Sequence, residues 1–357
     1  MKYLWQTMDP TTYKKPYTIM RKKTLFAASL ALMVLMAACT EKEGVYNPKK
    51  KISKVYKSSV SHYGQYDPET GTLYNQNTHR QDKQLWEEWI WEGNKLTQIR
   101  VYENEIEPYG KEGYAAINFT YDGKQIQRIA SADEYMSFVY DGKKLQQIQI
   151  FATGSSEPTE TYTFTHDGNK ITQIDFAFQD IVLNSYNIGL MKRLVLSNIV
   201  PTTPMAEKAF ADLGIAMAKS SAKAMVPIPL KLTWTGDNIT GIDASYTLTD
   251  WGGPVACNIS GTFAFDDKNN PHQNNFLTGL NNWQEDGTLP VFNKNNVTKS
   301  TMKVKYGSDY SDTEEIIYAY TYDGEWPRTQ LEVRHYEDEE NGYGNIDSTT
   351  FYYEYVK

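Results

Sequence analysis

Tyr121-Asp-Gly-Lys-Gln-Ile-Gln-Arg-Ile129 and Tyr140-Asp-Gly-Lys-Lys-Leu-Gln-Gln-Ile148 are two copies of one unit. Its pattern is aromatic-[Asp/Glu]-Gly-polar-Lys-[Leu/Ile]-x-x-Ile. Trp91–Ile99, His166–Ile174 and, more loosely, Trp234–Ile242 repeat it, and Phe265–Pro271 and Tyr322–Pro327 are partial copies. Before each turn, large residues alternate, as in Ile117/Phe119/Tyr121 and Met136/Phe138/Tyr140. Period two places them on one face of a strand. Asp-Gly then marks a tight hairpin, because glycine supplies a positive φ without a Cβ clash. After the turn the apolar positions step first by three and then by two, as in Leu96, Ile99 and Val101. A three-residue step would flip the face of a regular strand, so a bulge beside the turn is expected.

Seven hairpins give about fourteen strands, and Lys51–Ser59 and Thr349–Val356 read as further strands at the two ends. The starts of the copies lie from 19 to 68 residues apart. A solenoid would keep a fixed period, whereas hairpins with variable loops on the opposite end need not. The expected fold is all-β, a large antiparallel meander curling toward an open barrel. One stretch lacks the turn unit. Thr203 suits an N-cap, Pro204 a first helical position and Glu207 a first-turn acid. Ala206, Ala209, Phe210, Leu213, Ala216 and Met217 follow at helical spacing. One amphipathic helix is predicted over about residues 204–223, inside an insertion at 183–229, packed on the sheet.

The N-terminus carries an address. Arg21-Lys22-Lys23 precedes an uncharged stretch, Thr24–Ala38, of 15 residues. That is short of the roughly 20 residues of a membrane-spanning helix and has the proportions of a signal-peptide core. Small residues then precede Cys39, in Met36-Ala-Ala-Cys39, and this resembles a bacterial lipobox, with Met36 where Leu is usual. The lipobox implies cleavage before Cys39 and lipid on its thiol. Residues 1–19 do not look like the start of a signal peptide, so Met20 is the expected true start. Residues 1–38 are therefore a signal peptide, 39–47 a lipidated tether, and 48–357 a single β domain.

The serial Tyr-Asp-Gly hairpins, together with the lipobox and the Asn269-Asn270-Pro271 variant, resemble a Bacteroidetes lipoprotein family of unknown function described as having a porin-like fold. The likeness covers roughly residues 48–357. It implies a barrel-like antiparallel meander at the outer membrane and supplies no catalytic residues. Glu41 and Glu43 resemble the acidic tether of surface-exported relatives, interrupted by Lys42, so surface exposure is favoured over a periplasmic face.

Charge narrows the partners. The chain has 36 basic and 44 acidic residues, a net charge of −8. Removing 1–38, with six basic residues and one acidic, leaves 30 and 43, a net of −13. No basic surplus exists to bind nucleic-acid phosphates. With Cys39 lipidated, Cys257 has no partner for a disulfide and reads as a small buried hydrophobe. The five histidines show no zinc-ligand spacing, and no P-loop, Gly-x-Ser-x-Gly or dinucleotide fingerprint occurs. His166 occupies the aromatic position of a repeat copy and fills a structural slot. The acidic run at Glu337–Glu340 lacks alternating calcium-ligand spacing and reads as a solvated hairpin loop. No metal, cofactor or enzymatic activity is expected. The best ligand candidates are Trp251 and Trp283, in polar loops outside the repeats, where an indole face beside Asn and Asp suits sugar stacking. Contacts are expected in the insertions 61–83, 179–229 and 272–300. The reading is a lipid-anchored envelope protein that binds a glycan or another envelope protein. A hydrolase with a loop-built site and an integral outer-membrane barrel are the alternatives.

Overall fold

Six of the seven repeat copies fold as the hairpin their residues specify; the partial copy Phe265–Pro271 forms no tight turn, its strand ending at Asn269 and the next beginning at Asn295. In the second copy Asp122 pairs with Gln125 across a two-residue loop, Gly123-Lys124. The turn glycines Gly93, Gly123, Gly142, Gly168, Gly236 and Gly324 have φ between 57° and 63°. Glycine at the first loop position with positive φ is what a two-residue hairpin of the II′ class requires. Beside each turn the register slips by one residue, between Ile90/Trp91, Thr120/Tyr121, Val139/Tyr140, Thr165/His166, Thr233/Trp234 and Thr321/Tyr322. This is the bulge expected from the three-residue apolar step.

The computed structural model describes residues 43–67, 70, 72–102, 113–132, 134–178, 228–248, 255–275, 292–307, 310–338 and 343–357. The strands are β1 Ile52–Asp67, β2 Thr72–Glu92, β3 Lys95–Val101, β4 Ala115–Asp122, β5 Gln125–Ala130, β6 Glu134–Asp141, β7 Lys144–Ala152 and β8 Glu160–Asp167. They continue as β9 Lys170–Phe178, β10 Ile228–Thr235, β11 Asn238–Leu248, β12 Val255–Asn269, β13 Asn295–Tyr306, β14 Tyr310–Asp323, β15 Trp326–Asp338 and β16 Tyr343–Tyr355. Sequential neighbours pair antiparallel, and β1 pairs with β16 from Ile52↔Tyr355 to Gln65↔Tyr343. The barrel is closed, not open as expected. Closure removes two sheet edges whose backbone groups would otherwise stay unpaired, and no local pattern announces it.

Two further expectations change. Residues 61–67 and 72–83, read as a loop insertion, are strand. Ile228 and Pro229, placed in the helical insertion, belong to β10 and pair with Phe176 and Asp175. The helix expected at 204–223 lies outside the described residues, among which there is none. Glu337 and Asp338 close β15, and the rest of the acidic run lies outside the described residues.

The barrel gives every consensus position a task. Aromatics at the turn end donate hydrogen bonds to backbone carbonyls of the neighbouring strand pair: Trp91 to Ile52, Tyr121 to Leu96, Tyr140 to Ile126, Trp234 to Ile171 and Tyr355 to Pro327, at 2.6–2.7 Å. The repeat lysine reaches the next turn. Lys144 donates to Gly168 O at 2.6 Å and Lys170 to Gly236 O. Lys95 and Lys170 lie 5.3 Å over the rings of Tyr121 and Trp234, within cation–π range. The bulged Thr97 donates back to Ile90 O at 3.1 Å. The hairpins are thus stitched around the barrel by their own repeat residues.

Inward-facing side chains are buried on all sixteen strands, among them Val55, Trp89, Ile99, Ile117, Tyr162, Ile242, Met302, Glu332 and Phe351. Barrels of this strand number ordinarily enclose an aqueous channel; here, among the described residues, the inward side chains of the wall form a buried core. Two segments help to fill it at the turn end. Tyr46 packs against Trp89 and Trp91, with ring centroids at 6.2 and 5.7 Å, and donates to Pro271 O at 3.0 Å. His272 sits between the rings of Trp89 and Tyr353, at 6.0 and 5.7 Å. The bulged hairpins supply docking points: Ile126 N–H donates to Gly44 O, and Ile239 N–H to Asn293 Oδ1.

The outer wall is polar. On β13 it presents Lys299, Lys303 and Lys305, and on β14 Thr313 and Glu315, all exposed. Lys299 and Glu315 form an ion pair at 2.5 Å. On β8 the outward positions are Thr161, Thr163 and Thr165. Val139 and Ile317 are the large apolar residues of the wall that stand exposed, among the described residues, and they are far apart in the strand order.

Candidate functional site

One part of the wall rises above the rest. β3 pairs with β2 only over Glu87–Glu92, whereas Thr72–Leu85 of β2 pair with β1 alone among the described residues. β1, β2 and β16, with β15 paired to β16 out to Asp338↔Tyr343, therefore continue as an arm beyond the short strands. The arm is shaped by a bulge between Tyr63/Asn77 and Gln65/Tyr74. Gly64 makes it possible, since a Cβ there would lie 2.7 Å from Tyr74 O. Asn75 takes a left-handed φ of 53°, a conformation asparagine tolerates better than most residues. Asn75 Nδ2 donates to Gln65 Oε1 at 2.8 Å, and Gln76 Nε2 to Leu73 O at 2.8 Å.

Register decides which side chains share a face. Val55 points into the core opposite Tyr353, and the β1–β16 pairing is unbroken from there. Alternation therefore puts Ser61, Tyr63 and Gln65 on the same inward face. Across the strands, Ser61 stands between Asp347 and His79, Tyr63 between Asn345 and Asn77, and Gln65 opposite Tyr74. Tyr63 and Tyr74 are 45% and 49% exposed, unlike the buried tyrosines of the core. Asn345 Nδ2 donates to Asp347 Oδ2 at 2.8 Å. The Oδ1 atoms of both residues are buried and have no hydrogen-bond partner. The chain is 22% charged, yet Ser58–Tyr66, Thr72–Thr78 and Tyr343–Ile346 contain no Asp, Glu, Lys or Arg.

Beneath this face lies a layer of buried polar groups. Glu87 accepts from Trp89 Nε1 at 2.7 Å, Glu332 from Arg334 Nε at 2.8 Å, and Gln330 Oε1 from Tyr353 Oη at 2.8 Å. Burial, with Tyr355, Glu87 and Glu332 nearby, pushes the Tyr353 phenol well above its ordinary value. Burial alone pulls His272 down to about 3, so its imidazole is neutral. Glu87, Glu332 and Gln330 are thus hydrogen-bonded within the wall, and the layer forms the floor of the arm's inner face. No three His, Cys, Asp or Glu residues are placed to hold a metal ion, among the described residues.

The residues singled out from sequence fall differently. Cys39, Trp251 and Trp283 lie outside the described residues. Cys257 is buried in the core, as are Trp89 and the repeat aromatics Phe119 and Phe138. His166 fills its aromatic slot but also binds Glu43, with Nε2 at 3.1 Å from the carboxylate. No local pattern singles out Tyr63 or Tyr74. The available signal was the concentration of Tyr, Asn and Gln in 61–83.

No protein-family model matches the chain, and no curated protein matches it. Among the solved structures that align with it are porin-like proteins from Bacteroides vulgatus ATCC 8482 and Bacteroides uniformis ATCC 8492. The first is 9% identical, with a TM-score of 0.34 over 84% of this chain and 98% of its own. The second is 11% identical, with a TM-score of 0.29 over 84% of this chain and 97% of its own. The barrel assignment rests on the strand register.

Proposed function

We propose that this chain is a cell-envelope protein, held at the outer membrane by lipid on Cys39, whose barrel is a binding scaffold and not a pore. The observation that carries this reading is the polarity of the wall. A membrane-spanning barrel turns an apolar band about 25 Å tall toward lipid and keeps its lumen polar. Here the apolar residues pack inward, and lysine, glutamate and threonine face out. The strand count suits an integral barrel, but a wall of charged side chains would be costly in hydrocarbon. Membrane attachment then requires a separate anchor, and Cys39 supplies one, since two or more acyl chains hold a protein firmly. The scaffold offers its raised arm to a glycan or another envelope protein; recognition commonly sits on such projecting segments.

Replacing Cys39 tests this. The Cys39→Ser chain should lose incorporation of a labelled fatty acid and move to the detergent-free soluble fraction, while the native chain stays with membranes. A Cys39→Ser chain that still requires detergent would establish an integral barrel instead.

A further inference from the structure

From the geometry of the arm we infer that its inward face binds a neutral carbohydrate chain; this inference rests on the binding-scaffold reading above. Two exposed tyrosines, Tyr63 and Tyr74, lie on one face of the β1–β2 ribbon in adjacent rows. Aromatic faces carry negative potential and accept the C–H groups of a pyranose ring. Around them stand Asn77, Asn345, Gln65 and Asn75, side chains that both donate and accept, as sugar hydroxyls do. The Oδ1 atoms of Asn345, opposite Tyr63, and of Asp347, opposite Ser61, are buried acceptors without a partner, and a buried acceptor calls for an O–H or N–H donor.

Charge selects among ligands. Around the two tyrosines, Ser58–Tyr66, Thr72–Thr78 and Tyr343–Ile346 carry no Asp, Glu, Lys or Arg, and the charges that border them at the tip, Asp67 at the end of β1 and Glu337 and Asp338 at the end of β15, are all acidic. A phosphorylated or sulfated polymer, or an acidic peptide, would meet those carboxylates and find no counter-charge at the tip. Arg334 stands opposite Asp347 at the base of the face, so the nearest charges below the tip are of opposite sign. Two rings side by side, with amides on both flanks, fit successive units of a chain better than one sugar.

The test is affinity electrophoresis of the purified full chain in a polyoxyethylene detergent, through gels containing amylopectin, dextran, galactomannan or arabinoxylan. Polygalacturonate and chondroitin sulfate serve as charged controls. At least one neutral polysaccharide should retard the protein. Tyr63→Ala and Tyr74→Ala should each weaken that retardation about tenfold, Tyr63→Phe should retain it, and Tyr56→Ala, whose strand position points outward, should leave it unchanged. Melting temperatures of the variants should match the native protein. The inference is overturned if no neutral polysaccharide retards the chain, if the double alanine variant binds normally, or if charged polymers bind as well. Membrane fractionation of the same preparation reads the lipid anchor separately. A chain that fractionates with membranes but ignores polysaccharide overturns only the carbohydrate inference.

Discussion

Glu43 and His166, 123 positions apart in sequence, meet inside the barrel with His166 Nε2 3.1 Å from the Glu43 carboxylate. The same carboxylate accepts Leu145 N–H at 2.6 Å. His166 thus makes, through a borrowed side chain, the connection that tyrosine makes directly in the second and third hairpins. Glu43, counted from sequence as part of an exposed acidic tether, is turned inward with only 21% of its side chain exposed, and His166 has 5%.

Glu43→Ala should therefore lower stability by about 1–3 kcal/mol, because it leaves a buried imidazole and a backbone N–H without a partner. Chemical denaturation should show the loss as a lower midpoint with unchanged slope. Glu92→Ala, at an exposed position, should have little effect by comparison, and equal losses for the two variants would show that Glu43 holds nothing.

The turn glycines make a second prediction. At Gly123, Gly142 and Gly168 a Cβ would meet nothing within 4 Å, so a larger residue meets strain in the backbone alone. Valine at any of them should cost about 1–3 kcal/mol. Gly154, in the loop between β7 and β8, has φ 86° and should be nearly as sensitive. Gly261 differs: its φ is ordinary, but a Cβ would lie 2.8 Å from Ile242 Cγ1, so Gly261→Ala should destabilise by overpacking. Thermal melts of these variants separate the two causes, since Gly→Asn should be tolerated at the turns and not at Gly261.

The ring of aromatic hydrogen bonds gives a third. Tyr121→Phe keeps the packed ring and removes only the donor to Leu96 O. A cost of about 1 kcal/mol is expected, visible as a small drop in denaturation midpoint. No change would mean that the ring matters only by its packing.

His272 gives a pH dependence. It takes up a proton near 6.5 when unfolded but only near 3 when folded, because burial disfavours the charged ring. Between those values the unfolded chain binds more protons, so stability is full above pH 6.5 and falls as pH drops toward 3. The loss is on the order of a few kcal/mol. His272→Gln should flatten this part of the stability–pH curve relative to the native protein. Parallel curves for the two chains would contradict it.

The repeat residues by themselves determined the hairpins, the positive-φ glycines, the bulge after each turn and the polar outward positions such as Thr161, Thr163 and Thr165. All of these follow from forces acting within about ten residues: alternation on a strand, steric freedom at glycine, and one extra residue in a ladder. Closure was decided elsewhere. Ser58 and Tyr352, whose hydroxyls meet at 3.3 Å, are 294 positions apart, and nothing local in either strand names the other. The arm shows the same division. Residues 61–83 lack apolar alternation because both faces are solvated, so they read as a loop. Pairing of β1 with β16 and β2 makes them strand, and only that register brings Tyr63, Tyr74 and the unpartnered oxygens of Asn345 and Asp347 to one face. Backbone hydrogen bonding between distant segments is blind to side-chain pattern, which is why a sequence rich in local signals is silent on its longest-range contacts.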